Sequence, residues 1–293
     1  MHAIEKCPWR IIVPNVTFPI QRVGDFTITA ISDGYLTANL NALSNIDPSQ
    51  ALRIQSDAGQ KEPDSVHINC YVIRTEGRTV LVDAGAGGIR QWGGQLKANL
   101  SLAGVEAGEI DTILLTHAHP DHVGGLLDPT GQRCFPNAEL VAHYRERDFW
   151  QDDANLARAS ERARGNFHIA RKVFDAYRDK LRTFDRGEVL PGIKAIALPG
   201  HTDGHTGYAL ESGNQSLLVW GDIVHFPHIQ IKRPDVTIAF DQHASQAAAT
   251  RSRLLDWVSS EGTLIAGMHL GQPGFARIKR TNGQYELLYE TEE

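Results

Sequence analysis

A chain of 293 residues, 41% hydrophobic and 22% charged, is large and apolar enough to bury a substantial core, which excludes disorder, collagen, a coiled coil and a small disulfide-stapled domain. Twenty-nine Lys and Arg against thirty-five Asp and Glu leave a net charge of −6, the wrong sign for a protein that binds by neutralising phosphates, so no nucleic acid partner is expected. The odd, widely spaced cysteines Cys7, Cys70 and Cys134 offer neither a disulfide framework nor a Cys-x-x-Cys metal knuckle, which fits a reducing compartment. Glu5, Pro8 and Pro14 interrupt the first twenty residues before a signal-peptide core could form, and no stretch approaches the roughly 18 apolar residues of a spanning helix. A cytoplasmic location without membrane contact is the expectation.

In chain order, Phe26 to Ile31 alternates as a strand and ends at Ser32-Asp33-Gly34, a turn signature. Asn39 to Asp64 reads as a polar surface excursion or lid with a short helix near Pro48 to Ile54. His67 to Arg74 and Arg78 to Val82 form a hairpin across Thr75-Glu76-Gly77. The glycine-rich run Asp83 to Gly88 lacks the Gly-Lys-Ser/Thr of a phosphate loop, so it reads as a tight turn with Asp83 bonded to backbone, leading to a helix over Ile89 to Leu100. Strands follow at Asp111 to Thr116 and Ala138 to Ala142. Residues 143–186, rich in Arg, Asp, Glu and Ala with aromatics at helical intervals, read as an insertion of two amphipathic helices. Strands return at Ile193 to Leu198, Thr206 to Glu211 and Ser216 to Trp220. The helix His243 to Ser260 precedes the strands Thr263 to Ala266, Ala276 to Arg280 and Tyr285 to Tyr289. Two strand clusters alternating with helices predict a single α/β domain of four layers, αββα, spanning 1–293 with an N-terminal arm over about 1–24.

The chemistry concentrates in Thr116-His117-Ala118-His119-Pro120-Asp121-His122, directly after an apolar strand. Protonated, three imidazoles this close repel; as neutral ligands around a divalent cation their lone pairs are used, and the carboxylate offsets charge. His-x-His-x-Asp-His arises by chance on the order of once in a thousand sequences of this length. Further candidates stand at strand ends: His201 and His205 in Gly200-His201-Thr202-Asp203-Gly204-His205-Thr206, Asp222 after Val219-Trp220-Gly221, and His269 after Gly267-Met268.

With Leu81-Val82-Asp83-Ala84-Gly85 and the order of these motifs from about Asn69 to His269, the chain resembles the metallo-β-lactamase superfamily. The resemblance implies an αββα sandwich with a dinuclear site between the sheets. Carried over by position, it implies His117, His119 and His205 on one metal, Asp121, His122 and His269 on the other, Asp222 bridging, and His201 outside the ligand set. Imidazole and carboxylate without thiolate suit two Zn²⁺ ions, with Mn²⁺, Fe²⁺ and Co²⁺ also accommodated. Redox di-iron members resemble this pattern but carry an acidic residue at the position of His119, so His119 points to hydrolysis by a hydroxide bridging the metals, with Asp121 passing a proton to the leaving group.

Within the superfamily, Thr116 to Leu127, Phe135-Pro136-Asn137-Ala138, Asp148-Phe149-Trp150 and Gly267 to Gly274 resemble the branch of N-acyl-homoserine lactonases and methyl parathion hydrolases. That implies opening of a lactone or cleavage of a small carboxylic ester, with phosphotriester hydrolysis as the alternative; a redox enzyme of the same fold and a non-catalytic metal-binding protein stand further off. Lactonases of the branch place a tyrosine three residues after the bridging aspartate; here that position is His225, whose imidazole can donate to a developing oxyanion. Phe149, Trp150 and Phe226, with His225, are the expected substrate contacts, and Phe240 and Phe275 are further aromatic candidates. The branch is often dimeric, and Trp9 to Phe18, apolar yet proline-broken, could be an arm packed on a second copy in a homodimer.

Overall fold

The computed structural model describes residues 17–290. Residues 1–16, which hold Cys7 and most of the expected arm, lie outside them. The elements are β1 (Ile20–Val23), β2 (Phe26–Thr37), β3 (Leu43–Ser44), α1 (Pro48–Asp57), β4 (Ser65–Thr75), β5 (Arg78–Val82), α2 (Leu96–Leu102), β6 (Thr112–Leu114), α3 (Pro120–Val123), β7 (Glu139–His143), α4 (Tyr144–Gln151), α5 (Asp153–Arg158) and α6 (Glu161–Ala176). They continue with β8 (Leu181–Phe184), β9 (Gly187–Leu190), β10 (Ile193–Ala197), β11 (Thr206–Ser212), β12 (Gln215–Val219), α7 (Pro227–Gln230), β13 (Thr237–Ile238), α8 (Ala244–Glu261), β14 (Leu264–Ala266), β15 (Phe275–Thr281) and β16 (Gln284–Tyr289).

Alternation along the strands builds the layers. In β4, Tyr71 and Ile73 point one way and Cys70 and Val72 the other; in β12, Leu217 and Val219 oppose Leu218. The first sheet has the order β1-β2-β4-β5-β6-β7-β8 and the second β16-β15-β14-β12-β11-β10-β9. Their facing sides bury one core, with Ile28, Tyr71, Val82 and Leu114 from one sheet against Tyr208, Leu217, Val219 and Phe275 from the other. On the outer face of the first sheet, Leu96 and Leu100 of α2 and Phe167, Val173 and Phe174 of α6 cover Val72, Leu81, Ile113 and Leu140. Outside the second, Leu254, Leu255 and Val258 of α8 cover Leu218, Ile265 and Ile278. This is the expected αββα sandwich, with both sheets mixed: β5 to β8 run parallel, as do β12 and β14.

The structure corrects several local expectations. Ser32-Asp33-Gly34 does not end a strand; β2 runs on to Thr37 through a bulge, with Gly34 at φ +108°. The bulge buries Asp33, which accepts from the backbone N–H of Ala86, Gly94 and Leu96. The helix expected over Ile89 to Leu100 is split, because Gly93 and Gly94 adopt positive φ and α2 starts only at Leu96. Ile20–Val23, inside the expected arm, is an edge strand paired with β2. The insertion carries three helices rather than two, and its last part, Leu181–Phe184, pairs parallel with β7. The glycine run after β5 packs closely on the loop after α3: Gly87 lies so near the carbonyl of Gly124, and Gly124 and Gly125 so near the carbonyls of Ala86 and Ala84, that a side chain at any of the three would collide with backbone.

Candidate metal centre

Parallel strands deliver their C-terminal ends to one edge of the sandwich. The loop after β6 and the start of α3 carry Thr116 to His122, Asp222 follows β12, His269 follows β14, and His201 and His205 flank the turn into β11. Asp83, at the end of β5 with φ +57°, organises the first loop. Its carboxylate accepts from Thr116 N at 2.8 Å, Thr116 Oγ1 at 2.7 Å and His122 Nδ1 at 2.7 Å. Burial raises the Asp83 pKa, and the His122 and Thr116 contacts oppose that rise.

The hydrogen bonds set the imidazole tautomers. Thr116 spends its one proton on Asp83, so its oxygen accepts from His117 Nδ1 at 3.1 Å. His201 Nδ1 donates to Asp241 Oδ1 at 2.8 Å, and His269 Nδ1 donates to the His67 carbonyl at 2.7 Å. In each of these rings, and in His122, the Nε2 atom faces the cluster while the far nitrogen is held by a protein oxygen, the arrangement that orients metal-binding histidines. His119 turns Nδ1 inward, 3.0 Å from His117 Nε2 and 2.9 Å from His201 Nε2. Burial holds His117 and His119 well below the usual imidazole range, which keeps both rings neutral with lone pairs free for a cation. Three ring nitrogens with at most one proton among them cannot satisfy one another, and a cation resolves the conflict.

A second group, Asp121, His122, Asp222 and His269, offers ligand atoms within 4.8 Å of one another. Asp222 Oδ2 reaches both groups, lying 3.4 Å from His201 Nε2 and 3.6 Å from His117 Nε2, and 3.2 Å from His122 Nε2 and 3.3 Å from His269 Nε2. Burial opposes charge on His122 and His269, but the carboxylates of Asp222 and Asp121 outweigh it and raise both. Asp222 itself is held well below the usual carboxylate range; burial works against this and is outweighed by His122, His269 and His117. The donors are imidazole and carboxylate, Asp222 Oδ1 is buried without a hydrogen-bond partner, and the carboxylates draw positive charge, so the residues fit two divalent cations.

His205 is the one expected ligand that the structure does not bring into the cluster. Its Nδ1 donates to the Leu198 carbonyl at 2.8 Å and its Nε2 accepts the backbone N–H of Asp222 at 2.9 Å, so both nitrogens are committed, and burial lowers its pKa to about 3. His201, expected outside the ligand set, takes that place with Nε2. His205 acts one step back, fixing the backbone that presents Asp222. His225 directs Nε2 to Asp222 Oδ2 at 3.2 Å, but its buried Nδ1 has no partner, unlike the outward nitrogens of His117, His122, His201 and His269.

A pocket of about 270 Å³ opens over this cluster, with His119, Asp121, His201, Asp222 and His225 at its floor. Phe149, Trp150, Phe167, Phe240, Leu36 and Trp92 contribute its apolar walls. Phe149 and Trp150, expected as substrate contacts, line this pocket. Phe226 does not: it is buried with Leu36, Ala51, Ile68 and Ile229 and borders only a neighbouring polar cleft, while Phe275 lies in the core between the sheets. Sequence reasoning also missed Asp241 behind His201 and Glu146 in α4. Glu146 is buried and accepts from Ala118 N, Trp150 Nε1, Gly204 N and the Thr202 hydroxyl, tying the His117–His119 loop to the His201 loop. A lone acid in a charged helix carries no sequence signal for that role.

Comparison with known proteins agrees with this fold. The structure of the hydrolase AbOPH of the beta lactamase superfamily superposes with a TM-score of 0.88 at 29% identity, covering 94% of this chain and 98% of that one. AidC, a dizinc quorum-quenching lactonase solved with an N-hexanoyl-L-homoserine product, gives 0.87 at 26% identity, covering 94% and 98%. An uncharacterized protein of Bacillus subtilis (strain 168), YobT, is 30% identical over 155 residues, 52% of this chain and 60% of its own. The chain spans 31% to 60% of the length of the curated relatives it matches. Among the described residues no helix is long and apolar enough to cross a membrane. Residues 64–269, which carry every residue of the metal cluster, match the family description Metallo-beta-lactamase superfamily, and the chain belongs to that superfamily.

Proposed function

We propose that this protein is a dinuclear metal-dependent hydrolase that opens a lactone or cleaves a small carboxylic ester, as an N-acyl-homoserine lactonase does. The observation that carries the reading is the convergence of His117, His119 and His201 with Asp121, His122 and His269 around Asp222, at the floor of an apolar pocket. Two zinc ions bound there would supply hydroxide near neutral pH and polarise the substrate oxygen. Asp222 would serve both metal positions, a reading supported by one of its oxygens lying near both histidine groups.

The surrounding residues divide the remaining work. Asp121 approaches His122 and His269 through Oδ2 and lines the pocket, so its other oxygen can hold a proton and give it to the departing alkoxide. His225 lines the same pocket and lacks an outer hydrogen-bond partner; it can turn an N–H toward charge developing on the carbonyl oxygen. Trp150 packs edge-on to His119, with ring centroids 5.7 Å apart, and with Phe149 and Phe240 excludes water and receives an acyl chain. The net charge of −6 favours a small-molecule substrate over a nucleic acid.

The test is proton release in weak buffer by zinc- or cobalt-reconstituted protein offered acyl-homoserine lactones, an aryl ester and a phosphotriester. Chelator-sensitive opening of the lactones, faster than the other two, supports the assignment. Cleavage of the phosphotriester alone replaces it with the methyl parathion hydrolase-like alternative, and no turnover of any substrate removes the hydrolase reading.

A further inference from the structure

Two arginines stand at the wall of the pocket without a carboxylate partner among the described residues. Arg147 pairs with Asp148 at 2.5 Å and Arg171 with Asp153 at 2.8 Å. Arg90 and Arg162 make no ion pair among the described residues, although both line the cavity over the metal cluster. They come from different parts of the chain. Arg90 sits in a 3-10 turn after β5 with φ +56°, and Arg162 lies in the first turn of α6.

Each guanidinium is fixed against a wall of the pocket. Arg162 lies 4.3 Å from the centroid of Phe240, and Arg90 lies 5.2 Å from that of Trp92 while donating to Asn166 Oδ1 at 2.9 Å. Burial and the charge of Arg90 both depress the Arg162 pKa, so the two cations feel one another. The sixteen-residue α6 also starts here: Ser160, Arg162 and Ala163 line the pocket, and the positive end of the helix dipole adds to the same field. The carboxylates that line the pocket, Asp121, Asp222 and Asp241, are at its floor and engaged by histidines, while Glu161 does not line it.

We propose that Arg90 and Arg162 form an anion-binding rim, and that the preferred substrate is an ester or lactone whose far end, remote from the bond cleaved, carries a carboxylate or phosphate. This deepens the hydrolase reading and rests on it for the scissile group. An apolar body is held between Phe149, Trp150 and Phe240, and the terminal anion meets two guanidinium groups and a helix N-terminus, each suited to oxyanions.

The experiment compares zinc-loaded wild-type protein and the double variant Arg90→Met/Arg162→Met on p-nitrophenyl hexanoate, its ω-carboxylate analogue mono-p-nitrophenyl adipate, and an ω-phosphoryloxy analogue. In the wild type, kcat/KM for the better anionic ester should exceed that for the neutral ester by about tenfold, and salt should erode the ratio. In the variant the ratio should fall toward one. Whichever anionic ester shows the larger ratio identifies the anion. Equal kcat/KM for all three tails, or a ratio the variant leaves in place, overturns the proposal. If no ester is turned over, the hydrolase reading fails separately, and calorimetry decides the rim: adipate binding tighter than hexanoate, with the difference lost in the variant, upholds it, and equal binding overturns it.

Discussion

Exchanging His201 and His205 as ligand candidates makes the sharpest test of the site. Zinc held by four protein ligands has an apparent binding free energy of about 10–16 kcal/mol, so one imidazole in four carries about 3 kcal/mol, roughly a hundredfold in affinity. His201→Ala removes the inward Nε2 that faces His119 at 2.9 Å, and should therefore leave one tightly bound zinc per chain and weaken the other on the order of a hundredfold or more. His205→Leu removes no inward nitrogen. It deletes the bonds to Leu198 O and Asp222 N, strands two buried backbone groups, and should cost about 2–4 kcal/mol of stability in the metal-free protein. That corresponds to a midpoint about 4–8 °C lower in a chain of this size. Zinc titration against a chromophoric chelator, paired with thermal melts of the metal-free proteins, separates the two effects. One zinc bound by His205→Leu and two by His201→Ala would refute the assignment and return His205 to the ligand set.

Three further outcomes follow from particular contacts. Asp83→Asn keeps the shape but weakens the anchor of the His122 ring, and should lower zinc affinity about 10–100-fold by chelator competition; unchanged affinity would show that Thr116 alone orients the loop. Glu146→Ala leaves four donors from three segments unpaired in a buried place, and should destabilise the protein by about 3–5 kcal/mol in urea unfolding, whereas a loss below about 1 kcal/mol would contradict its linking role. His225→Phe should keep two zinc ions by metal analysis while reducing kcat about 10²–10³-fold, as loss of an oxyanion donor does. A parallel loss of zinc would instead make His225 a metal ligand.

Much of the architecture was legible locally. Near-continuous apolar runs in β4, β11 and β12 mark strands with two buried faces, and the amphipathic runs under α6 and α8 mark the outer helices, because the residue pattern follows how many faces of an element are buried. Less legible were the bulge at Asp33 and the break before α2. In both, glycines accept positive φ so that Asp33 can bond distant backbone N–H groups, and no local pattern reveals a partner about fifty residues away.

The same division runs through the site. Crowding within His117 to His122 announces a cation from sequence alone, because so many imidazoles and a carboxylate have few other uses within six positions. Spacing could not choose between His201 and His205, which flank one short turn and have the same side chain. The fold decides, since only the hydrogen bonds of the packed state show which imidazole has a nitrogen to spare: His205 has both committed to Leu198 and Asp222, whereas Asp241 takes the outer nitrogen of His201 and leaves the inner one facing the cluster. Likewise the sequence favours Phe226 over Phe240 as a substrate contact, and the packed fold reverses this by sending Phe226 into the core and Phe240 to the pocket wall.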